Sequence, residues 1–271
     1  MRAAGASIAG VAGYTHWVEP FWLEITRRDL PIARLPQSMD GRTLLHLSDL
    51  HIGTLVDDDY LERVWRTARA LTPDIVAYTG DWVTWSGVSQ LAQLERHLPQ
   101  VPRGRMLTLS VLGNHDYGDF WREPAVAREI TDRLTQTGIR VLGNTSLDVD
   151  GMFVAGIDDL WAGRAAPGTA LSTWRAGTPS LVLNHNPDAL DARAAWQGYD
   201  GWVLSGHTHG GQCRSPFLPP PIIPVKNRRY TSGEIAVGDG RRVYISRGVG
   251  FTAQARFFVR PEITLFTLRR A

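Results

Sequence analysis

The chain has 271 residues, 43% of them hydrophobic and 21% charged, enough for one large α/β domain and too apolar for disorder. Its formal charge of +2 is too small for nucleic-acid binding by electrostatics alone, and all 29 basic residues except Lys226 are Arg. The single cysteine, Cys213, excludes an intrachain disulfide and a thiolate cluster, so any metal must be held by His, Asp, Asn or Glu.

The chain opens with a small, apolar run over residues 3–13. Eleven residues cannot cross a bilayer as a helix, but the run resembles the end of a signal or anchor segment. The competing reading is a plain apolar N-terminus. Residues 22–26 alternate as a strand, and Pro31 and Pro36 then break the chain. The expected organisation is an N-terminal remnant with a leading strand over residues 1–39 and a single domain over 40–271. Within that domain, apolar runs at 43–47, 75–79 and 106–112 read as buried strands. Helical spacing is seen at 57–71, with Leu61, Val64, Trp65, Ala68 and Leu71 on one face, and again at 91–98 and 124–137. Further strands fall at 153–157, 181–184, 202–205, 243–246 and 263–268. The alternation predicts α/β layering with some parallel strands.

Five short polar patches each follow one of these strands directly. They are Ser48-Asp49-Leu50-His51, Gly80-Asp81, Gly113-Asn114-His115-Asp116, His185, and Gly206-His207-Thr208-His209-Gly210-Gly211. In an extended chain residues two apart point the same way, so Asp49 and His51 can pinch one cation. One such patch is weak, because Asp-x-His arises by chance and a lone His is usually a satisfied polar residue. Five in order at strand ends are specific, since that rim is where open α/β sheets build their sites.

The series D-x-H, G-D, G-N-H-[DE], H, G-H-x-H resembles the calcineurin-like metallophosphoesterase superfamily over about residues 43–210. The sequences GHTHGGQ, Ser246-Arg247-Gly248 and Arg260-Pro261-Glu262-Ile263-Thr264-Leu265 are similar to a membrane-associated bacterial branch that includes UDP-2,3-diacylglucosamine hydrolases. The resemblance implies an α/β four-layer sandwich of two mixed β-sheets flanked by helices. It implies that Asp49, His51 and His209 hold one divalent cation, that Asn114, His185 and His207 hold a second, and that Asp81 bridges them. Donors limited to N and O suit Mn²⁺, Fe or Zn²⁺. Only Asp49 and Asp81 are anionic, so two divalent ions leave the centre net positive, a trap for a phosphodiester or pyrophosphate. Such a metal pair, about 3.5–4 Å apart, acidifies a bridging water and neutralises phosphoryl oxygens. His115 would then protonate the leaving oxygen, with Asp116 fixing its tautomer.

Other expectations are looser. Arg247 either contacts substrate phosphate or stabilises its turn. Trp82, Trp85, Trp121 and Trp161 either form an apolar rim for an acyl chain or pack in the core. Asp158 and Asp159 read as turn residues and His46 as a strand residue. Phe217, Leu218, Ile222 and Ile223, in a loop with five prolines, precede Lys226, Arg228 and Arg229 and suggest peripheral contact with a membrane surface. The expected partner is thus a phosphate-containing, lipid-linked substrate at a membrane, without nucleic acid, and nothing calls for an obligate protein partner. A soluble phosphodiesterase and a catalytically silent metal-bound scaffold are the alternatives, the latter opposed by the complete ligand set and the His115-Asp116 pair.

Overall fold

The computed structural model describes residues 10–271. The apolar run expected at 3–13 therefore lies mostly outside the described residues. Two six-stranded mixed sheets stack face to face, with helices on their outer sides. The first half of the chain supplies β1 (Glu24–Ile32), β2 (Thr43–Leu47), α1 (Asp58–Ala70), β3 (Ile75–Thr79), α2 (Ser89–His97), β4 (Leu107–Val111), α3 (Pro124–Gln136) and β5 (Arg140–Val141). The second half supplies β6 (Thr145–Val149), β7 (Met152–Ile157), α4 (Pro167–Ala170), β8 (Ser180–Asn184), β9 (Trp202–Ser205), β10 (Gly233–Ala236), β11 (Arg242–Ile245) and β12 (Glu262–Arg270).

The first sheet runs β1-β12-β2-β3-β4-β5 and the second β10-β11-β9-β8-β7-β6. Strands β2 to β5 are mutually parallel, as are β7, β8, β9 and β11. The leading strand pairs in parallel with β12 from Glu24 opposite Glu262 to Ile32 opposite Arg270, so it is an edge of the first sheet.

Layering follows from the period-two alternation of each strand. Ile75 and Ala77 of β3 face the space between the sheets, where they meet Leu44, Leu109, Val154 and Leu183. Val76 and Tyr78 of the same strand face outward onto Leu61, Val64 and Trp65 of α1. Asp57 caps α1 by accepting from the N–H groups of Asp59 and Tyr60. A separate core under the second sheet gathers Ala155, Val182, Val203 and Val243 around Trp196 and Tyr199. Among the described residues, no helix is long and apolar enough to cross a membrane.

Candidate active site

All five polar patches emerge from the C-terminal ends of parallel strands, β2, β3 and β4 of one sheet and β8 and β9 of the other. Because the sheets are stacked, those ends face each other, and the side chains converge in one buried cluster.

On one side, His51 Nε2 lies 3.0 Å from His209 Nε2, and His209 Nε2 lies 3.4 Å from Asp49 Oδ1. On the other, His207 Nδ1 lies 3.2 Å from His185 Nε2. Asp81 stands between them, its Oδ2 3.6 Å from His51 Nε2 and 3.3 Å from His185 Nε2. Three triads, Asp49-His51-His209, His51-Asp81-His115 and Asp81-His185-His207, each keep their donor atoms within 4.8 Å of one another, and His115 is the half-buried member among them. Asn114 aims a buried Oδ1 that has no hydrogen-bond partner among the described residues.

Hydrogen bonds on the outer side of the rings fix the tautomers. His185 Nδ1 meets the Thr79 carbonyl at 2.6 Å and His207 Nε2 meets the Pro224 carbonyl at 2.8 Å. A carbonyl can only accept, so those nitrogens carry the protons. With only those protons, the lone pairs of His185 Nε2 and His207 Nδ1 face each other, which is repulsive unless a further proton or a metal ion lies between them. His51 Nδ1 is also anchored, by Thr84 Oγ1 at 2.9 Å, a hydroxyl that pairs with either tautomer. Electrostatics point the same way. Burial pushes Asp49 up to about 7, whereas His185, His115 and His51 overcome burial at Asp81 and hold it well below the ordinary carboxylate range. Burial opposes a charge on His185, yet Asp81 raises its pKa to about 10. The cluster thus demands positive charge, and its N and O donors fit a pair of divalent cations.

Asp49 and His51 do converge, but not through the extended backbone expected of Asp49-x-His51. Asp49, His51, Asp81, His207 and His209 have φ of 54°, 50°, 54°, 71° and 50°, in the left-handed region that side chains seldom occupy. Each such residue costs of order 1–3 kcal/mol, so surrounding structure must impose it. Here the N–H groups of Asp49, Leu50 and His51 donate to the carbonyls of Gly80, Asp81 and Asp81, and Gly250 N–H donates to the Asp49 carbonyl at 2.7 Å. Close approach is the other requirement. A Cβ on Gly206 would overlap Ser48 Oγ and Asp49 Oδ2, and one on Gly113 would overlap Asp81 Oδ1.

His115 stays half-buried at the open side, its ring 5.0 Å from that of His51 and its N–H donating to Asp81 Oδ1 at 3.0 Å. Asp116 does not orient it, contrary to expectation. Asp116 Oδ1 accepts from the N–H groups of Trp82 and Val83, and its Oδ2 from that of Gly113, so both oxygens stitch neighbouring loops together. Trp82 is likewise corrected from rim to core: fully buried, it packs on Tyr78 and donates to Ser110 Oγ at 2.9 Å. Trp85 packs against the same core. Arg247 is paired with Glu262 at 2.6 Å and Glu24 at 3.3 Å, so its charge serves the fold rather than a substrate phosphate.

Trp161 does stand at the rim. Its ring meets the His207 ring edge-on at 4.4 Å and leans on Trp121 at 4.7 Å. Both tryptophans line a groove of about 830 Å³, together with Phe120, Leu160, Arg122 and Lys226. Arg228 and Arg229 instead donate to the carbonyls of Pro220 and Ala236. Ile223 is buried, whereas Phe217, Leu218 and Ile222 remain 91%, 67% and 80% exposed.

Sequence reasoning missed Arg256. Fully buried, it donates from Nη2 to the carbonyls of Arg247, Gly248 and Gly250 at 2.9, 3.3 and 2.6 Å and lies 3.5 Å from His209 Nδ1. It thereby clamps the loop that presses Gly248 on Asp49. No local pattern around Arg256 announces this, because its partners are distant backbone carbonyls.

Fold and site together define a metal-dependent phosphoester hydrolase. The family model for calcineurin-like phosphoesterases matches residues 42–211, and the chain belongs to that family. It is 33% identical to an uncharacterized metallophosphoesterase of Bacillus subtilis, YkuE, over 98% of this chain and 93% of that one. It is 32% identical to the phosphodiesterase YaeI of Escherichia coli, over 99% and 97%. At 24% identity it is similar to the UDP-2,3-diacylglucosamine pyrophosphatase LpxG of Chlamydia muridarum, over 93% and 91%.

Proposed function

We propose that this enzyme hydrolyses a phosphodiester or pyrophosphate bond of a lipid-linked substrate resembling UDP-2,3-diacylglucosamine, at a membrane surface. Asp49, His51 and His209 would hold one divalent cation (Mn²⁺, Fe or Zn²⁺), Asn114, His185 and His207 the other, and Asp81 both. The observation that carries this is the close approach of the His185 and His207 ring nitrogens beside Asp81, with the orphaned Asn114 Oδ1 in the same buried cluster. Two bound cations supply an acidified water and neutralise phosphoryl charge.

The chain's own part is orientation and proton transfer. The Thr79 and Pro224 carbonyls keep the imidazoles of His185 and His207 in their ligand tautomers. His115, reachable from solvent and adjacent to Asp81, donates a proton to the leaving oxygen. Trp121 and Trp161 offer an apolar wall beside it. The lipid part of the reading is supported by the exposed Phe217, Leu218 and Ile222, by Trp17 and Trp22 at 69% and 47% exposure, and by the name of the chlamydial relative.

A panel of lipid-linked and nucleotide substrates assayed with Mn²⁺, alongside metal content, tests both parts. Two metals per chain and faster turnover of lipid-linked pyrophosphates or diesters are expected. A metal-loaded protein that turns over no phosphoester would leave only a scaffold role. Preference for water-soluble diesters would favour the second reading, suggested by the phosphodiesterase name of the Escherichia coli relative.

A further inference from the structure

We propose that the groove beside the metal centre is a subsite for a second phosphate, gripped by Lys226 and Arg122, and that it selects pyrophosphate diesters over simple phosphodiesters. The inference rests on the hydrolase reading above and deepens it.

Position comes first. The groove wall is Trp161, in edge contact with His207, and Trp121, whose ring lies 6.4 Å from that of His115. A group bound there sits next to the scissile phosphate on the side where His115 meets the leaving oxygen. Charge comes second. Asp188 and Asp191 also line the groove and keep their negative charge, but their oxygens are turned to hydrogen bonds within the neighbouring turn. Asp188 accepts from the N–H groups of Lys226 and Asn227 at 2.7 and 3.0 Å, and Asp191 from Asn227 Nδ2 at 3.0 Å and the Tyr230 hydroxyl at 2.7 Å. Those bonds shape the turn that presents Lys226. The cations are not so engaged: among the described residues neither Lys226 nor Arg122 has a carboxylate partner within salt-bridge distance. Two unpaired cations over an aromatic wall suit an anionic group joined to a planar or apolar one.

The chemistry of a pyrophosphate diester uses such a grip. Water adds to one phosphorus, and the bond from that phosphorus to the bridging oxygen breaks. The bridging oxygen leaves on the second phosphate and takes a proton from His115, so that two phosphate monoesters result. Negative charge gathers on the departing phosphate, where Lys226 and Arg122 lie. An aryl leaving group has no phosphate for them to hold.

The test compares Lys226→Met and Arg122→Met with Lys226→Arg and Arg122→Lys, using Mn²⁺-loaded enzyme. The substrates are a UDP-sugar-type pyrophosphate diester and bis(4-nitrophenyl) phosphate. The ratio of their kcat/KM values is expected to fall roughly tenfold in each methionine variant and to recover within about threefold when the charge is kept, the scale of one charge-assisted contact near solvent. Inhibition by methylenediphosphonate should weaken in parallel. An unchanged ratio in both methionine variants overturns the subsite, and so does a loss that the charge-keeping variants fail to restore. Failure of the underlying hydrolase reading is distinguishable, because wild-type enzyme with two metals bound would then turn over neither substrate.

Discussion

The metal centre and the groove beside it are built on opposite principles. In the centre, Asp49, His51, Asp81, Asn114, His185, His207 and His209 are all buried, and five of them hold left-handed backbone imposed by bonds from other loops. In the groove and its neighbouring loop, Phe120, Phe217 and Ile222 are 86%, 91% and 80% exposed, and the segment 216–224 has little regular structure. The first arrangement is over-determined and tolerates no rearrangement; the second touches it at Pro224 and Trp161, both against His207, and is otherwise free to change. Bond-breaking chemistry is therefore lodged where the C-terminal strand ends of the two sheets meet, and substrate choice where loops are free to vary.

The comparison breaks most sharply at Asp81. Among the described residues it is the one carboxylate within 3.6 Å of ring nitrogens on both sides of the cluster, at His51 and His185. Asp81→Ala should lower metal content at both positions and reduce turnover by more than the roughly 10–100-fold expected from loss of an outer partner. Metal stoichiometry and turnover measured together check this. Two retained metals with near-normal activity would remove Asp81 from the bridging place.

His115 tests the boundary between the two regions, since it touches the centre yet reaches solvent. His115→Ala should keep both metals and lose turnover by roughly 10²–10⁴-fold. The loss should shrink as the leaving group becomes more acidic. An equal loss across leaving groups of different pKa would contradict proton donation. A smaller effect is expected at Arg256, which supports the centre only through carbonyls and the back of His209. Arg256→Met should weaken metal binding by roughly 10–100-fold while leaving the far-ultraviolet circular dichroism unchanged. Undiminished affinity by calorimetry would show that the loop holds Asp49 without the clamp.

The same contrast explains what the sequence disclosed. Strands β2, β3 and β9 were legible to the residue because each is a short apolar run ended by a polar patch. Strands β5, β6 and β10 were not, being short edge or near-edge segments with exposed residues and no apolar run. The polar patches that carry the seven proposed donors stood out by residue type and by their place after strands, and the family resemblance supplied the ligand set. Their backbone geometry did not, because left-handed φ at Asp49 or His209 is imposed by residues far away in sequence. Trp82 and Trp161 lie equally close to donor patches, yet one faces Tyr78 in the core and the other His207 at the rim. Distance along the chain says nothing about which way a side chain turns, and Asp116 was misread for that reason.

The smallest expected effect on chemistry, and the largest on location, belongs to the exposed loop. Phe217, Leu218 and Ile222 are 91%, 67% and 80% exposed, whereas Ile223 is 9% exposed and packs inward. Three side chains, not four, are thus offered outward. They are anchored to the centre from behind, since the loop's end at Pro224 accepts from His207 Nε2 at 2.8 Å and Arg228 holds the Pro220 carbonyl. Burial of each in lipid contributes at most about 1.5–3 kcal/mol, so three suffice for reversible attachment without a spanning helix. Changing Phe217, Leu218 and Ile222 together to Ser should release the protein from vesicles containing anionic lipid. Metal content should stay at the wild-type level, because none of the three supplies a donor. Co-sedimentation of both proteins with the same vesicles reads the outcome directly. If the wild-type chain stays in the supernatant, or the triple variant binds equally well, the loop is not the membrane contact. If instead release from vesicles came with loss of metal, the two regions would be coupled through Pro224, and the independence of rim and centre would fail at that carbonyl.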